Sequence, residues 1–341
     1  MGKEKVQKMQ TKETVRQLFP SDTIQRLNAH TSVTRFRGND GINELLASGG
    51  VSSSGELVKF IARHLLGGYR RLPSPAVFDF APGCTAIHVP NRAGSGWLFG
   101  RGYDFLPHDL MILKLEPEDG YASINSVDTT MITDALGKLG KWVPPELIKK
   151  FALYLPVDGL NEKGLAISVN MIDDDVIVNQ STGKTNHIIV TLIRTILDKA
   201  ANVEEAVTIL KNSDLHTWKG FFFHLAIADA AGRCVAAEYI HDELAIVESP
   251  IITNFYLQAG PKYGIGTEQS HIRYDRLTAH RKDHPALTPA ELRDELKSVA
   301  KSNFPDDFHT TEWSVVYDQQ ALTATYYRRE HYTRAYQISL K

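Results

Sequence analysis

The Gly83–Cys84 step is the feature that most constrains how this chain folds. Before it, the sequence RRLPSPAVFDFAPG carries three prolines, which indicates an extended connector because proline and the residue before it disfavour helix. After it, CTAIHV begins a series of strand-like segments separated by turns such as NRAGSG. The chain therefore changes character at Cys84, and we expect a β-sheet to begin there.

The pattern after Cys84 alternates between strands and helices. The first strand-like segments are GWLFGRGYDF, LMILKLEP, YASINSVD and KGLAISVNMI. Helical segments follow in NHIIVTLIRTILDKA and VEEAVTILKNS, with Asn202 as a candidate cap of the second. Strands return in FFFHLAIADAAGRCVAAEYI, ELAIVES and PIITNFYL, helices return at His271 and at TPAEL with Thr288 as its cap, and two strand-like segments end the chain. This order predicts an α+β layered domain with antiparallel sheets.

The first 83 residues have a different composition from the rest. They combine a polar, helix-prone start with a stretch rich in glycine and serine and one amphipathic segment, ELVKFIARHLL. The residues that recur there at helical spacing are Leu57, Phe60, Ile61, His64 and Leu65. We expect this helix to dock on the main domain, and membrane association is the alternative. We thus divide the chain into a helical pro-segment, 1–83, and a main domain, 84–341.

The composition favours a soluble globular protein that acts on small molecules. Hydrophobic residues make up 43% of the 341 residues, which is enough for a substantial core. The net charge of -2 provides no basic surface for nucleic acid, and no run of about 18 apolar residues exists to insert stably in a membrane. The polar N-terminus predicts a cytoplasmic protein as the sequence stands, or a secreted or periplasmic one if a signal peptide has been removed. A homo-oligomer remains open.

The cysteines and histidines argue against a metal or cofactor site. The chain has two cysteines, Cys84 and Cys234, which is too few for a disulfide scaffold or a cysteine-rich metal site. We expect Cys234, in GRCVAAEY, to point into the core. The histidines lack HxH or HExxH spacing, and His88 is interpreted as a packing residue. The aspartates at 173–175 lack further calcium ligands and are interpreted as solvated.

A hairpin centred on NRAGSG would bring Arg101 and Asp104, in GRGYDF, back beside Cys84. A guanidinium there would favour the thiolate, and a carboxylate could hold an ammonium group. Each residue alone has a simpler explanation, because a lone cysteine is commonly a small buried hydrophobe and an Arg–Asp pair is commonly structural. The triplet is therefore a candidate catalytic site that needs support from the rest of the sequence.

That support comes from a resemblance to the choloylglycine hydrolase family of linear-amide hydrolases, which includes bile salt hydrolases and penicillin V acylases. The similar segments are GCTAI, GRGYDF, PVDGLNEKGLAISVNM, FHLAIADAAGRCVAAEY, ITNFYL, IRYDRL and TEWSVVYD, which together span nearly all of 84–341. The resemblance implies an N-terminal-nucleophile hydrolase fold, an αββα sandwich of two antiparallel sheets between helical layers. One departure is Gly102, where the family commonly has Asn, so any polar contact of that side chain is in doubt.

The resemblance also implies roles for the residues near the cysteine. Cys84 would be the nucleophile, released by self-cleavage after Gly83, and its freed α-amine would be the base that takes the thiol proton. Arg101 would lie next to the thiolate. Asp104 would hold the α-ammonium group.

Three further site residues come from the more distant motifs. Asn161, in the LNEKG turn, and Asn254, in ITNFYL, would position hydrogen-bond donors for the tetrahedral oxyanion. Arg273, in IRYDRL, would complete the polar site, and Arg276 is the competing candidate. The resemblance implies that no cofactor is needed.

Together these features predict a cysteine hydrolase that cleaves linear N-acyl amides, its small-molecule substrates, through a thioester. The alternatives are an acyltransferase that uses the same thioester and an inactive binding protein of the same fold. The acyl group stays open among bile-salt, phenoxyacetyl and fatty acyl amides, because the residues at 221–223, Tyr256 and Trp313 are compatible with an acyl pocket or with the core. We expect the precursor to be inactive and the segment 1–83 to stay docked after cleavage.

Overall fold

The computed structural model describes residues 13–65, 83–135, 140, 142–217, 222–304 and 309–341. In these residues two large β-sheets face each other across an apolar layer, and helices cover the outer face of each sheet. The result is a four-layered αββα sandwich, as the sequence predicted. The proline-rich connector up to residue 82, Phe221 and the Leu65 side chain lie outside the described residues.

The first sheet has seven strands in the order β1-β18-β17-β16-β5-β4-β15. Along the chain these strands are β1 (Thr14–Gln17), β4 (Gly83–Pro90), β5 (Trp97–Phe105), β15 (Ile251–Ile252), β16 (Thr310–Asp318), β17 (Thr323–Arg328) and β18 (Arg334–Ser339). Strand β4 begins at the Gly83–Cys84 step, where the sequence predicted the start of the sheet. Its neighbours in the sheet are β5 and the short β15.

The second sheet has nine strands in the order β14-β13-β12-β9-β8-β7-β6-β3-β2. Along the chain these are β2 (Gln25–Asn28), β3 (Thr31–Gly38), β6 (Leu110–Pro117), β7 (Ser123–Asp128), β8 (Pro156–Asn161), β9 (Ala166–Ile172), β12 (Phe222–Ala228), β13 (Cys234–Ile240) and β14 (Glu243–Glu248). A separate parallel pair consists of β10 (Thr185–Ile188) and β11 (Ser213–His216).

Helices form the two outer layers. The helices are α1 (Ile42–Ala47), α2 (Ser54–Leu65), α3 (Thr129–Ala135), α4 (Pro145–Ala152), α5 (Ile189–Lys199), α6 (Val203–Lys211), α7 (Glu268–Asp283) and α8 (Pro289–Ser298), and a 3-10 helix spans Lys301–Asn303. Helices α1 to α6 pack on the nine-stranded sheet, and α7 and α8 pack on the seven-stranded sheet. None of the helices in the described residues is long and apolar enough to cross a bilayer.

Two helix starts follow the predicted capping chemistry. The Asn202 side chain accepts a hydrogen bond from the Glu205 backbone N–H at the start of α6. Thr288 and Glu291 form a reciprocal capping box at the start of α8. Both predictions are therefore confirmed. Such caps can be predicted from sequence because they depend only on residues three positions apart.

In its described residues, 13–65, the segment before Gly83 contains strands as well as helices, which corrects the prediction of a helical pro-segment. It contributes β1 to the first sheet and β2 and β3 to the second, in addition to α1 and α2. The sheets are also mixed rather than purely antiparallel, because β3 pairs in parallel with β6, and β1 with β18. Strands that pair in parallel are not linked by a hairpin, so no turn in the local sequence predicts the pairing.

The amphipathic segment forms α2, and its apolar face docks on the protein. Leu57, Phe60 and Ile61 are buried in an apolar cluster that includes residues of β6 and α4. Burying such side chains stabilises the docked helix by about 1.5–3 kcal/mol each. The docking interpretation is therefore confirmed, while His64 lies on the exposed side.

Candidate active site

The β4–β5 hairpin brings the predicted triplet together at its open end. Gly83 pairs with Asp104, Cys84 with Tyr103 and Ala86 with Arg101. Side chains alternate between the two faces of a strand, so Cys84 points into the layer between the sheets, while Ile87 and Val89 face the helices. Only 1% of Cys84 is exposed. A single hairpin thus sets the position of the cysteine relative to an arginine and an aspartate.

Arg101 contacts the thiol of Cys84 from the same layer. Its guanidinium is fully buried and donates hydrogen bonds to the carbonyl oxygens of Gly102 (2.6 Å) and Val169 (2.8 Å). Its Nε lies 3.6 Å from Oδ2 of Asp158. Burial lowers the pKa of Arg101, but its charge and hydrogen-bond interactions with Cys84 and the charge of Asp158 raise that pKa above its usual value. Arg101 is therefore a fixed cation at the sulfur of Cys84.

The main chain of Cys84 is held by the residues predicted from the distant motifs. Its N–H donates to Oδ1 of Asn254 at 2.6 Å, and its carbonyl accepts a hydrogen bond from Nη1 of Arg273 at 2.7 Å. Arg273 also donates to Oδ1 of Asn254 at 2.7 Å and to the Thr85 hydroxyl at 2.8 Å. Asn254 in turn donates to the carbonyl of Met171, in the opposite sheet. Both sheets and helix α7 therefore fix the backbone at Cys84.

Asp104 provides the negative charge at this end of the hairpin. Its Oδ1 accepts a hydrogen bond from the Thr311 hydroxyl at 2.7 Å, and its Oδ2 lies 3.4 Å from Nη1 of Arg273. Burial raises the pKa of Asp104, and the charges of Arg273 and Lys301 oppose this shift. Because Asp104 pairs with Gly83, the carboxylate lies beside the bond that joins Gly83 to Cys84.

Asn161 is the predicted site residue that the structure does not bring into this cluster. Both hydrogens of its amide are used inside the protein, since Nδ2 donates to the carbonyls of Leu197 (2.9 Å) and Ala200 (2.7 Å). Its Oδ1 accepts from the N–H groups of Lys163 (3.1 Å) and Leu165 (3.0 Å). This corrects the prediction: the asparagine of the LNEKG turn joins the β8–β9 turn to the end of helix α5, and it has no donor left for an oxyanion.

Arg276 and Gly102 bear on two other sequence predictions. Arg276 is exposed and donates to the Ser298 carbonyl, so α7 presents Arg273, and not Arg276, to Cys84. A Cβ added at Gly102 would meet Thr85 at 3.7 Å, an ordinary van der Waals distance. The glycine at this position is therefore not required by close packing around its Cα.

The remaining sequence candidates have structural roles. His88 is buried, stacks on Trp97 and hydrogen-bonds Oε1 of Gln319 at 2.9 Å. Burial is the main cause that lowers its pKa to about 4, which keeps the ring neutral. Asp174 differs from the solvated aspartate that we expected, because it accepts hydrogen bonds from Tyr256 (3.0 Å) and Lys262 (2.7 Å).

The aromatic residues proposed for an acyl pocket are core residues where the structure describes them. Phe222, Phe223 and Tyr256 are buried in the cluster between the nine-stranded sheet and its helices. Trp313 is fully buried, stacks on Tyr103 and donates from its indole to Oδ2 of Asp158 at 3.2 Å. The core interpretation therefore holds for these four side chains.

Sequence reasoning missed several polar residues around the site. Asp158 accepts hydrogen bonds from Tyr317 (2.5 Å) and Trp313 while it faces Arg101. Burial raises the pKa of Asp158, and Arg101 is the largest influence that lowers it. The signal in the sequence was an aspartate inside an otherwise apolar strand, PVDGL, because a buried charge needs partners. The sequence around Lys301 and Thr311 shows no comparable signal, because it has the pattern of an ordinary turn followed by an ordinary strand.

A buried His–Glu pair supports the segment that carries Asn254. The ring nitrogens of His224 lie 2.7 Å from the Thr253 carbonyl oxygen and 3.0 Å from Oε1 of Glu238. Glu238 also accepts hydrogen bonds from the N–H groups of Leu257 and Gln258 at 2.8 and 2.9 Å. Strands β12 and β13 thereby hold the loop after β15 on both sides of Asn254.

A comparison with known protein families gives one match. A family model described as acyl-coenzyme A:6-aminopenicillanic acid acyl-transferase matches residues 156–331. No curated protein sequence gives a significant match to the chain.

A solved structure reaches a TM-score of 0.50 with this chain. A variant of the conjugated bile acid hydrolase from Clostridium perfringens superposes with a TM-score of 0.50 at 17% identity, over 72% of this chain and 89% of that one. The penicillin V acylase from Agrobacterium tumefaciens has a TM-score of 0.49 at 19% identity, over 72% of this chain and 83% of that one. The first match shows the N-terminal-nucleophile hydrolase fold in this chain, in agreement with the resemblance noted from the motifs. With more than half of its residues matched by the family model, the chain belongs to the acyl-coenzyme A:6-aminopenicillanic acid acyl-transferase family.

Proposed function

We propose that this protein is a cysteine N-terminal-nucleophile hydrolase that cuts itself between Gly83 and Cys84 and then cleaves linear N-acyl amides through a thioester. The observation that carries this proposal is the environment of Cys84. Arg101 lies at its thiol, and its main-chain N–H and carbonyl are held by Asn254 and Arg273. The contact that a cysteine with only a packing role does not need is the guanidinium at its thiol, because a buried main-chain N–H and carbonyl require partners in any case.

Self-cleavage begins with attack of the Cys84 thiol on the Gly83 carbonyl carbon. The new bond joins sulfur to that carbon, the C–N bond to Cys84 breaks, and the thiol proton passes to the Cys84 nitrogen. Water then hydrolyses the thioester, which leaves a carboxylate on Gly83 and a free thiol and α-amine on Cys84. Before cleavage the nitrogen is a non-basic amide, so the uncut chain lacks the base for amide hydrolysis.

Amide hydrolysis by the cut enzyme uses the same groups. The α-amine of Cys84 takes the thiol proton, and the thiolate attacks the acyl carbon of the substrate. The resemblance assigns the oxyanion donor to Asn254, whose Nδ2 donates to the Met171 carbonyl in the uncut chain, and one such donor is worth about 2.7–4 kcal/mol in a comparable case. The departing amine receives the proton from the α-ammonium group. The α-amine then removes a proton from the water that hydrolyses the thioester.

The N-terminal fragment is expected to remain bound after cleavage. Strand β3 pairs with β6 over eight residues, from Thr31 with Leu110 to Gly38 with Pro117, and β1 pairs with β18. These pairings, together with the buried face of α2, join the fragment to both sheets. Gel filtration of cleaved protein under native conditions should return both fragments in one peak, and an isolated large fragment would contradict the expectation.

The activity is tested with a panel of N-acyl amides that carry phenoxyacetyl, fatty acyl and bile-acid groups. The cut wild-type protein should release the amine from at least one member, and Cys84→Ala protein should release none. A thiol reagent that labels Cys84 no faster than an ordinary thiol, together with no hydrolysis of any amide, would favour an inactive binding protein of the same fold.

Acyl transfer is the second candidate, because the matching family model is named for an acyl-transferase. In that reaction an amine, instead of water, takes the acyl group from the thioester. Product analysis with and without an added amine separates the two activities. A new amide that grows with amine concentration at the expense of free acid would identify a transferase.

A further inference from the structure

Lys301 is a buried lysine at the candidate active site that the proposed chemistry does not use. It opens the 3-10 helix before β16, and only 6% of the residue is exposed. Its ammonium group donates to Oε1 of Gln269 at 2.9 Å, and its backbone N–H donates to the Thr311 hydroxyl at 2.9 Å. The same hydroxyl donates to Asp104 at 2.7 Å. Lys301 is thus connected to Asp104 through one shared threonine.

The side chain of Lys301 also borders Gly83. A Cβ added at Gly83 would lie 2.9 Å from Oδ2 of Asp104, 2.9 Å from Cε of Lys301 and 3.0 Å from its Nζ. Real Cβ atoms essentially never make contacts under 3.0 Å, so a side chain at position 83 would have to displace the ends of the Asp104 and Lys301 side chains. The ammonium group therefore lies beside the residue whose carbonyl would be attacked.

Several strands and helices contribute charged and titratable groups around Asp104 and Lys301. They are Arg101, Tyr103 and Asp104 on β5, Asp158 on β8, Arg273 on α7, Lys301 on the 3-10 helix and Tyr332 before β18. Among them Arg273 and Lys301 are the two largest influences that favour the charged form of Asp104. Lys301 therefore adds a second positive charge at the carboxylate beside Gly83.

We propose that Lys301 is a positioning residue of this site, which holds Asp104 against Gly83 for self-cleavage and afterwards favours the neutral, basic form of the Cys84 α-amine. This inference rests on the proposed function. Cleavage would create the α-amine next to Asp104, which favours the ammonium form. The nearby Lys301 cation favours the neutral amine instead, because two positive charges repel each other. The lysine thereby keeps the amine available as a base at neutral pH. The usual pKa of an α-amine, about 7.7–8.0, is already close to that pH.

Replacing Lys301 by glutamine removes the charge and keeps a donor toward Gln269. The α-amine should then bind its proton more tightly, so the acidic limb of the pH–rate profile for amide hydrolysis should move upward by about 1 pH unit. Lys301→Arg keeps the charge and should leave the limb near the wild-type position. Lys297→Gln, an exposed lysine of α8, is the matched control and should leave both the limb and the cleavage rate unchanged.

Self-cleavage gives a second readout that does not depend on a substrate. Mass spectrometry over time should show slower cleavage in Lys301→Gln than in Lys301→Arg at pH 7. A Gln variant that cleaves at the wild-type rate and keeps the wild-type limb would overturn the positioning role while leaving the proposed function intact. If the wild-type protein neither cleaves nor hydrolyses amides, the proposed function itself fails. A Gln variant that does not cleave, while the Arg variant does, would support the role of the charge.

Discussion

Cys84 is the second residue of β4 and Cys234 is the first residue of β13, and both side chains point into the apolar layer between the sheets. Their exposed fractions, 1% and 7%, are similarly small. Their neighbours differ. Cys84 meets Arg101 at its sulfur and Asn254 and Arg273 at its backbone, whereas the nearest charges to Cys234 include the carboxylates Glu248 and Asp229.

This difference shows that burial alone does not define the chemistry of a thiol in this protein. Burial raises the pKa of Cys234 far above its usual value, and Glu248 and Asp229 raise it further. Its thiol is therefore neutral throughout the physiological range and is inert as a nucleophile. At Cys84 the neighbour of the sulfur is instead a fixed guanidinium, that of Arg101. Substitutions of each cysteine and of its neighbours test whether these surroundings set the reactivity of the thiol.

The largest effect is expected for Cys84→Ala. Without the sulfur neither step of the proposed chemistry has a nucleophile, so self-cleavage should disappear and amide hydrolysis should fall by about 10⁴-fold or more. Cys84→Ser retains a hydroxyl, which is a poorer nucleophile than a thiolate, and should cleave slowly if at all. Denaturing gels and amine release measure the two steps. Substantial hydrolysis by the Ala variant would remove Cys84 from the mechanism.

A second large difference is expected between the two asparagines. Asn254→Ala should lower kcat by about 10²–10³-fold, normalised to the cleaved fraction, because it removes an oxyanion donor. Asn161→Ala should leave kcat per cleaved molecule close to wild type. It should instead lower the free energy of unfolding by about 1–3 kcal/mol, because the carbonyls of Leu197 and Ala200 lose their donor. Similar losses of kcat in both variants would show that Asn161 contributes to catalysis, contrary to this account.

Thiol labelling provides an intermediate test of the two environments. Between pH 6 and pH 9 a thiol reagent should modify one cysteine of the cut, folded protein, and peptide mapping should identify it as Cys84. Because the Cys234 pKa is raised, its thiolate forms only at a pH above this window, and its labelling should require unfolding. Equal labelling rates for the two cysteines in the folded state would contradict the comparison.

The smallest effect is expected for Cys234→Ala. It removes one buried sulfur atom, so the free energy of unfolding should fall by about 1 kcal/mol while cleavage and kcat remain near wild type. Cys234→Ser should be less stable than the alanine variant, since it places a hydroxyl in an apolar layer. Chemical denaturation and amine release measure these two properties. Loss of hydrolysis comparable to that of Cys84→Ala would show that the chain does not have a single nucleophile.

The sequence was informative where contacts are local or where motifs follow a fixed spacing. The turn NRAGSG was sufficient to predict that Arg101 and Asp104 return beside Cys84, because a hairpin converts spacing along the chain into proximity. The caps at Asn202 and Thr288 depend on neighbours three residues away and were predicted for the same reason.

Long-range pairings were not accessible in this way. The parallel pairing of β3 with β6 joins residues about eighty positions apart, so no local sequence pattern indicated it. The amphipathic pattern of α2 was the clearest local signal in the N-terminal segment, and the segment was therefore predicted to be helical. For Asn161, the motif identified a polar residue near a turn but not which carbonyls would take up its hydrogens. Lys301 likewise reaches the site only because the short 3-10 helix packs against β16 and the lysine side chain extends to Gln269 of α7.

The central claim is that Cys84 becomes a new N-terminus, and denaturing mass spectrometry of purified, active protein tests it most directly. The account predicts two fragments of about 9 and about 29 kDa, in proportion to the residues on each side of the Gly83–Cys84 bond in a chain of 38.1 kDa. N-terminal sequencing of the larger fragment should begin Cys-Thr-Ala-Ile. An intact chain that hydrolyses amides at full rate, or a new N-terminus at another residue, would contradict it.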